Sequence, residues 1–137
     1  MAQLEKSQDF SPEMKKLYEN FKSGFQNCRT SVDRTVKDRE ELPFCGGIIV
    51  IHNPGHRPGH ICFYHKPSKS LIAGDALTAK NGILMNTEPY KNFDHDLSLE
   101  LCKKSLSFDI DAAICYHGGL CEERVNKQIE ELVNKVN

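Results

Sequence analysis

The stretch that decides the fold is His52-Asn53-Pro54-Gly55-His56-Arg57-Pro58-Gly59-His60, which follows directly on the apolar run Ile48–Ile51. Two later segments, Gly74-Asp75 and Tyr116-His117-Gly118-Gly119, also come directly after apolar runs. Each of the three segments therefore places a histidine or an aspartate at the carboxyl end of a predicted strand. Histidine and aspartate together suit zinc, manganese or iron. The pattern predicts a divalent-metal site assembled from strand ends.

Four apolar runs predict the strands of one sheet: Gly47–His52, His60–His65, Leu71–Gly74 and Ala112–Tyr116. The first run is apolar at successive positions, which is typical of a central strand covered on both faces. Lys66-Pro67-Ser68-Lys69 predicts a hairpin turn between the second run and the third. Helices are predicted over Leu97–Leu106 and from Glu122 onward. The fold class is therefore α/β (α+β), with a mixed sheet covered by helices.

The first 43 residues are more polar. Ser11-Pro12-Glu13 predicts a helix start, because serine caps the helix, proline suits its first position and glutamate faces the positive end of the dipole. An apolar stripe at helical spacing follows and ends near Phe25. A short edge strand is predicted around Arg34–Val36. We expect one domain over residues 1–137, made of a helical or irregular segment, 1–43, and a denser segment, 44–137.

Composition excludes several classes of function. With 18 basic and 19 acidic side chains the formal net charge is −1, so the chain lacks the basic surface that nucleic acid or an anionic membrane would attract. The longest apolar stretch is far too short to span a bilayer, and the amino-terminal residues do not resemble a signal peptide. The six cysteines form no C-x-x-C pair, and Cys62, Cys102 and Cys115 lie within apolar runs. We therefore expect a cytoplasmic protein whose cysteines are mostly small buried hydrophobes.

Three motifs together resemble the metallo-β-lactamase fold superfamily of metal-dependent hydrolases. They are Asn-Pro-Gly-His-Arg-Pro-Gly-His at 53–60, Leu-Ile-Ala-Gly-Asp at 71–75 and Tyr-His-Gly-Gly at 116–119. The resemblance includes the order of the motifs, their spacing and the strands before them, and extends from about Asp33 to the C-terminus. Asn53 and Arg57 stand where the family usually has threonines. This departure changes the polarity of the turn but no ligand.

The resemblance implies three metal ligands. His56 matches the histidine that completes the first metal site, Asp75 the carboxylate that bridges two metals, and His117 the histidine of the second site. The residue types suit these roles, because a carboxylate can span two cations about 3.5–4 Å apart while neutral imidazoles hold each from outside. His60 is expected to orient His56, with direct ligation as the alternative.

The family's earlier His-x-His-x-Asp-His motif does not occur in this sequence. The nearest similar string, Asp94-His95-Asp96, comes after Asp75 and predicts an acidic helix start instead. The chain thus resembles the C-terminal half of a metallo-β-lactamase-type αβ/βα sandwich. Three ligands divided between two sites are expected to bind zinc, or another divalent transition metal, weakly or incompletely.

Half of such a sandwich would leave an apolar sheet face uncovered, and exposed patches of that kind mark interfaces. The predicted covers are a separate N-terminal half, a second copy in a homodimer, or in part the helix Pro12–Phe25. Two functions are consistent with these features. The first is the C-terminal portion of a metal-dependent hydrolase, inactive alone, and the second is a non-catalytic dimeric remnant that binds metal or a partner.

Overall fold

A computed structural model describes residues 11–135, apart from the side chains of residues 100 and 101. The chain divides into two compact units between Thr35 and Val36. Three α-helices, eight strands and a short 3-10 helix occur within the described residues, in this order: α1 Pro12–Asn27, β1 Glu41–Leu42, β2 Ile48–His52, β3 Ile61–His65, β4 Ser70–Gly74, β5 Leu77–Lys80, β6 Ile83–Asn86, the 3-10 helix Pro89–Lys91, α2 His95–Ser105, β7 Ala112–Cys115, β8 Gly119–Cys121 and α3 Val125–Asn134.

The first unit contains the helix that the sequence predicts. Ser11 caps α1, because its hydroxyl oxygen accepts a hydrogen bond from the backbone N–H of Met14 (3.3 Å), and Pro12 occupies the first turn. The apolar stripe of the helix is exposed, up to 82% for Phe25. No helix within residues 11–135 is long and apolar enough to cross a membrane.

The second unit is built on a mixed six-stranded sheet with the order β1-β2-β3-β4-β7-β8. Strands β4 and β7 are parallel, and the other neighbours are antiparallel. The predicted hairpin turn at 66–69 joins β3 to β4, and each of the four predicted strands is present to within one residue at either end. The α/β (α+β) prediction is therefore confirmed.

The predicted edge strand at Arg34–Val36 is wrong. The edge strand is β1, which pairs Glu41 with Ile49. The chain turns just before it, where the backbone N–H of Glu40 donates to the carbonyl of Lys37 (3.1 Å) and Arg39 has φ +65°. Because of this turn the chain pairs with β2 only at Glu41 and Leu42. The β-branched residues Thr35 and Val36, which favoured a strand, come before the turn.

One face of the sheet carries the hydrophobic core. A row of side chains in register runs from Tyr64 through Leu71 and Ala113 to Cys121, and all four are buried. Helices α2 and α3 contribute to the same cluster; Ile129 of α3 is completely buried in it. The two helices therefore cover this face and hold the strand ends in fixed positions.

The opposite face carries a second apolar row, also in register, which we call the outer row: Val50, Phe63, Ile72, Ile114 and Leu120. None of these residues belongs to the core cluster. Exposure rises along the row from 0% at Val50 to 40% at Ile114 and 50% at Leu120. The outer row is thus an apolar stripe that becomes open toward the β8 edge.

Candidate metal centre

The turn between β2 and β3 is held against the start of α2. The backbone N–H of Asp94 donates to the carbonyl of Gly55 (2.8 Å), and that of Phe93 donates to the carbonyl of His56 (3.1 Å). Gly55 is buried so closely against the helix that a Cβ there would lie 2.2 Å from the backbone nitrogen of Ser98. These contacts fix the direction in which the His56 side chain leaves the turn.

Asp75 follows β4 and is oriented by its neighbours. Gly74 has φ +59°, a conformation that glycine adopts without strain, and a Cβ there would lie 2.9 Å from Nε2 of His60. The backbone N–H of Asp75 donates to the same nitrogen of His60 (3.2 Å), and the hydroxyl of Thr87 donates to the Asp75 carbonyl (2.8 Å). The backbone of Asp75 is therefore fixed on both sides, which leaves its carboxylate directed into the site.

His117 reaches the same place from β7. Because β4 and β7 are parallel neighbours, their carboxyl ends lie side by side, and the backbone N–H of Tyr116 donates to the carbonyl of Gly74 (2.9 Å). The carbonyl of His117 accepts a hydrogen bond from Ala79 of β5 (2.9 Å). The structure thus brings the three residues proposed from the sequence, His56, Asp75 and His117, to one edge of the sheet.

Each oxygen of the Asp75 carboxylate faces one imidazole. Nε2 of His56 lies 3.8 Å from Oδ2, and Nε2 of His117 lies 3.4 Å from Oδ1. The side chain of His56 is 13% exposed, that of Asp75 33% and that of His117 78%. The site is therefore closed on the His56 side and open to solvent on the His117 side.

The donor set fits a divalent transition metal in part. Oδ1 of Asp75 is buried and has no hydrogen-bond partner, although it lies 3.4 Å from an imidazole nitrogen. Ligand atoms in a tetrahedral zinc site, each 2.0–2.2 Å from the metal, lie about 3.4 Å from one another. Among the side chains that the structure describes, however, no three from histidine, cysteine, aspartate or glutamate form a group that could hold one ion. The residues thus form two pairs that share Asp75.

His60 supports these pairs without facing the site as a free ligand. Burial lowers the pKa of His60, and the nearby His56 lowers it further, so the ring is held neutral. Its Nε2 accepts from the Asp75 backbone, and its ring lies edge-on to that of His56, with centroids 5.6 Å apart. This arrangement favours the orienting role that we expected for His60.

Two side chains near the site were missed by the sequence reasoning. Asn92 lies between two histidines, with its Oδ1 2.9 Å from Nδ1 of His56 and its Nδ2 3.0 Å from Nδ1 of His95. Thr87 holds the Asp75 carbonyl, as described above. Both lie in the connection between β6 and α2, which follows no strand predicted from the sequence and contains no motif. Asp94 caps α2 by accepting from the backbone N–H of Leu97 (2.8 Å), as the acidic helix start predicts.

The cysteines do not contribute to the site. Cys62, Cys102 and Cys115 are buried, as predicted, and burial raises the pKa of their thiols to about 12, 12 and 11 respectively. Such thiols remain protonated at neutral pH and are poor ligands and nucleophiles. Cys121 is also buried, and its thiol donates to the carbonyl of Gly82 (2.8 Å).

Comparison with known proteins agrees with this geometry. The family model of the metallo-beta-lactamase superfamily matches residues 4–117, and the chain belongs to this superfamily. Among curated proteins, the hydroxyacylglutathione hydrolases of Rhizobium meliloti and Brucella anthropi are each 41% identical over 49 residues. Each of these matches covers 35% of this chain and 19% of the relative.

Solved structures show the same fold. An archaeal metallo-beta-lactamase superfamily protein from Sulfolobus tokodaii has a TM-score of 0.59 and 22% identity, over 91% of this chain and 52% of its own. A metallo-beta-lactamase family protein from Thermus thermophilus has a TM-score of 0.57 and 25% identity, over 77% of this chain and 36% of its own. This chain therefore spans about half the length of the first of these neighbours and about a third of the second.

Proposed function

We propose that this chain provides the Asp75-centred part of a metal-dependent hydrolase centre and does not hydrolyse substrates alone. The observation that carries the proposal is that each Asp75 carboxylate oxygen faces an imidazole nitrogen. The oxygen that faces His117, Oδ1, is buried and accepts no hydrogen bond. Membership of the superfamily and the short match to hydroxyacylglutathione hydrolases support hydrolysis as the reaction class.

In this proposal His56, Asp75 and His117 hold zinc or a similar divalent ion. Such an ion acts as a Lewis acid and lowers the pKa of water when it is bound in an organised, open site. Asp75 supplies the negative charge between the two imidazoles, and the partly buried His56 provides the drier side of the site. A catalytic zinc normally has three protein ligands and an open position. Two histidine–carboxylate pairs supply only two protein ligands each, so we propose weak or incomplete binding.

The proposal predicts negligible turnover by the purified chain. Ester, hydroxyacylglutathione and phosphodiester substrates, assayed with added zinc or manganese, are expected to hydrolyse no faster than in buffer with the same metal. The reason is the missing third ligand at each pair. Robust turnover that disappears in both His56→Ala and Asp75→Ala would contradict this expectation. If a neighbouring reading frame encodes His-x-His-x-Asp-His, this would favour a role as the C-terminal portion of a hydrolase over the non-catalytic dimeric module described next.

A second candidate function, a non-catalytic dimeric module, is favoured by the outer row. It places one apolar residue in each of the five strands β2, β3, β4, β7 and β8, and the two members nearest the β8 edge are at least 40% exposed. Burying such surface is worth about 25 cal/mol per Å². We propose that a second copy covers this face, with the same residues on both sides of a two-fold axis. A separate N-terminal half is the other expected cover.

Light scattering tests the dimer. At micromolar concentration we expect about twice the chain mass of 15.5 kDa, and Ile114→Lys is expected to give the monomer because it places a charge within the outer row. Ile83→Lys is the matched control, since Ile83 is also exposed (61%) but lies on the separate β5–β6 hairpin. A monodisperse monomer in the unchanged chain would contradict the dimer.

A further inference from the structure

The side chain of Asn92 connects His56 to the start of α2. It is half-buried, its Oδ1 lies 2.9 Å from Nδ1 of His56, and its Nδ2 lies 3.0 Å from Nδ1 of His95. The backbone on either side of His56 is fixed to the same segment by the hydrogen bonds from Phe93 and Asp94. Asn92 therefore stays in place relative to the imidazole that it contacts.

The chemistry of the amide determines which imidazole nitrogen of His56 carries the proton. An amide oxygen can only accept a hydrogen bond, so Nδ1 of His56 must donate, and in a neutral ring Nε2 then has a free lone pair. That Nε2 is the atom that faces the Asp75 carboxylate at 3.8 Å. The lone pair is thus directed toward the place where a cation would bind.

The opposite orientation of the amide fits less well. With its nitrogen and oxygen exchanged, the Asn92 amide would donate to Nδ1 of His56, and the proton of the neutral ring would move to Nε2. That proton would then be directed at Oδ2 of Asp75 across 3.8 Å, which is too long for a hydrogen bond. The orientation in which Asn92 accepts from His56 gives the Nδ1 proton of His56 an acceptor at 2.9 Å and directs no proton from Nε2 at Asp75.

We infer that Asn92 is a positioning residue that holds His56 in the tautomer with the proton on Nδ1, so that Nε2 is free to bind a divalent cation. This inference rests on the proposed metal site and adds the group that prepares its buried ligand. Partners that fix the tautomer of a ligating histidine typically contribute 10- to 100-fold to metal affinity.

The tautomer is measured directly by ¹⁵N NMR of the imidazole rings in the metal-free chain of 137 residues, at a pH at which His56 is neutral. We expect His56 in the unchanged chain to carry its proton on Nδ1. In Asn92→Leu, which has a similar volume and no hydrogen-bonding groups, we expect a mixture of the two tautomers. Asn92→Asp keeps an acceptor oxygen and is expected to keep the proton on Nδ1.

Zinc affinity, measured by calorimetry, provides the second readout. Asn92→Leu is expected to weaken binding by about 10- to 100-fold, whereas Asn92→Asp should bind at least as tightly as the unchanged chain. Asn86→Leu is the matched control, because Asn86 is also half-buried but its side chain has no hydrogen bond to the described residues. It is expected to change neither the tautomer nor the affinity.

The inference would be overturned if His56 carried its proton on Nε2 in the unchanged chain, or if Asn92→Leu did not change the tautomer. Either result would leave the proposed metal site in place. The first of these results needs no variant, so the inference can fail even if Asn92→Leu does not fold. An unchanged zinc affinity in Asp75→Asn would instead overturn the proposed metal site. The two failures are therefore distinguishable.

Discussion

Zinc affinity is expected to fall by at least about 100-fold when Asp75 is replaced by asparagine, because this carboxylate belongs to both imidazole pairs. Loss of a partner outside the coordination shell already costs 10- to 100-fold, and Asp75 is proposed as a direct ligand. The substitution removes the negative charge and keeps the shape. The backbone contacts of Asp75 with His60 and Thr87 do not involve its carboxylate, so the fold should be retained.

Calorimetric titration with zinc measures this effect, and Asp111→Asn is the control. Asp111 is exposed and precedes β7, whereas His117 follows the same strand, so the same loss of charge occurs at the opposite end of the sheet. This control should bind zinc as the unchanged chain does. Equal affinities for Asp75→Asn and the unchanged chain would show that zinc binds elsewhere.

Gly55→Ala is expected to lower the free energy of unfolding by about 3 kcal/mol or more, and the midpoint of thermal unfolding by about 10 °C or more. The added methyl carbon would lie 2.2 Å from the nitrogen of Ser98 and 2.3 Å from its Cα. These are backbone atoms of a buried residue in α2, so they cannot move aside as a flexible side chain would. The turn that carries His56 would have to separate from the helix.

Gly59→Ala provides a matched comparison within the same turn. Nothing lies within 4 Å of a Cβ at Gly59, and neither Gly55 nor Gly59 has a positive φ. Gly59→Ala is therefore expected to leave the stability unchanged or to raise it by up to about 1 kcal/mol, because alanine restricts the unfolded chain. Thermal and denaturant unfolding of both variants check this. Equal losses of stability would contradict the proposed contact between Gly55 and α2.

The two Pro-Gly-His triplets show where the sequence is informative and where it is not. Both triplets predict a turn, and both histidines are potential ligands on their sequence alone. In the structure His56 faces the Asp75 carboxylate, while His60 accepts from the Asp75 backbone. The difference arises from the packing of Gly55 on Ser98 of α2, which lies more than 40 residues further along the chain. The residues next to His56 and His60 in the sequence do not predict that contact.

The strand ends were predictable because strong apolar runs precede them. Parallel pairing of β4 with β7 then accounts for the proximity of Asp75 and His117. The hairpin of β5 and β6 was missed, although Asn81-Gly82 is a favourable hairpin turn and both residues have positive φ. Its strands mix polar and apolar residues without regular alternation. Asn92 was missed because backbone hydrogen bonds, which depend little on side-chain type, bring its segment to His56.

The number of metal ions that each chain retains tests most directly whether it holds only part of a metal centre. The chain is loaded with zinc, dialysed against metal-free buffer and analysed for its elements. Because His56, Asp75 and His117 form two incomplete pairs, we expect less than one tightly bound ion per chain. Two retained ions per chain would contradict this, since they would require ligands beyond these three residues.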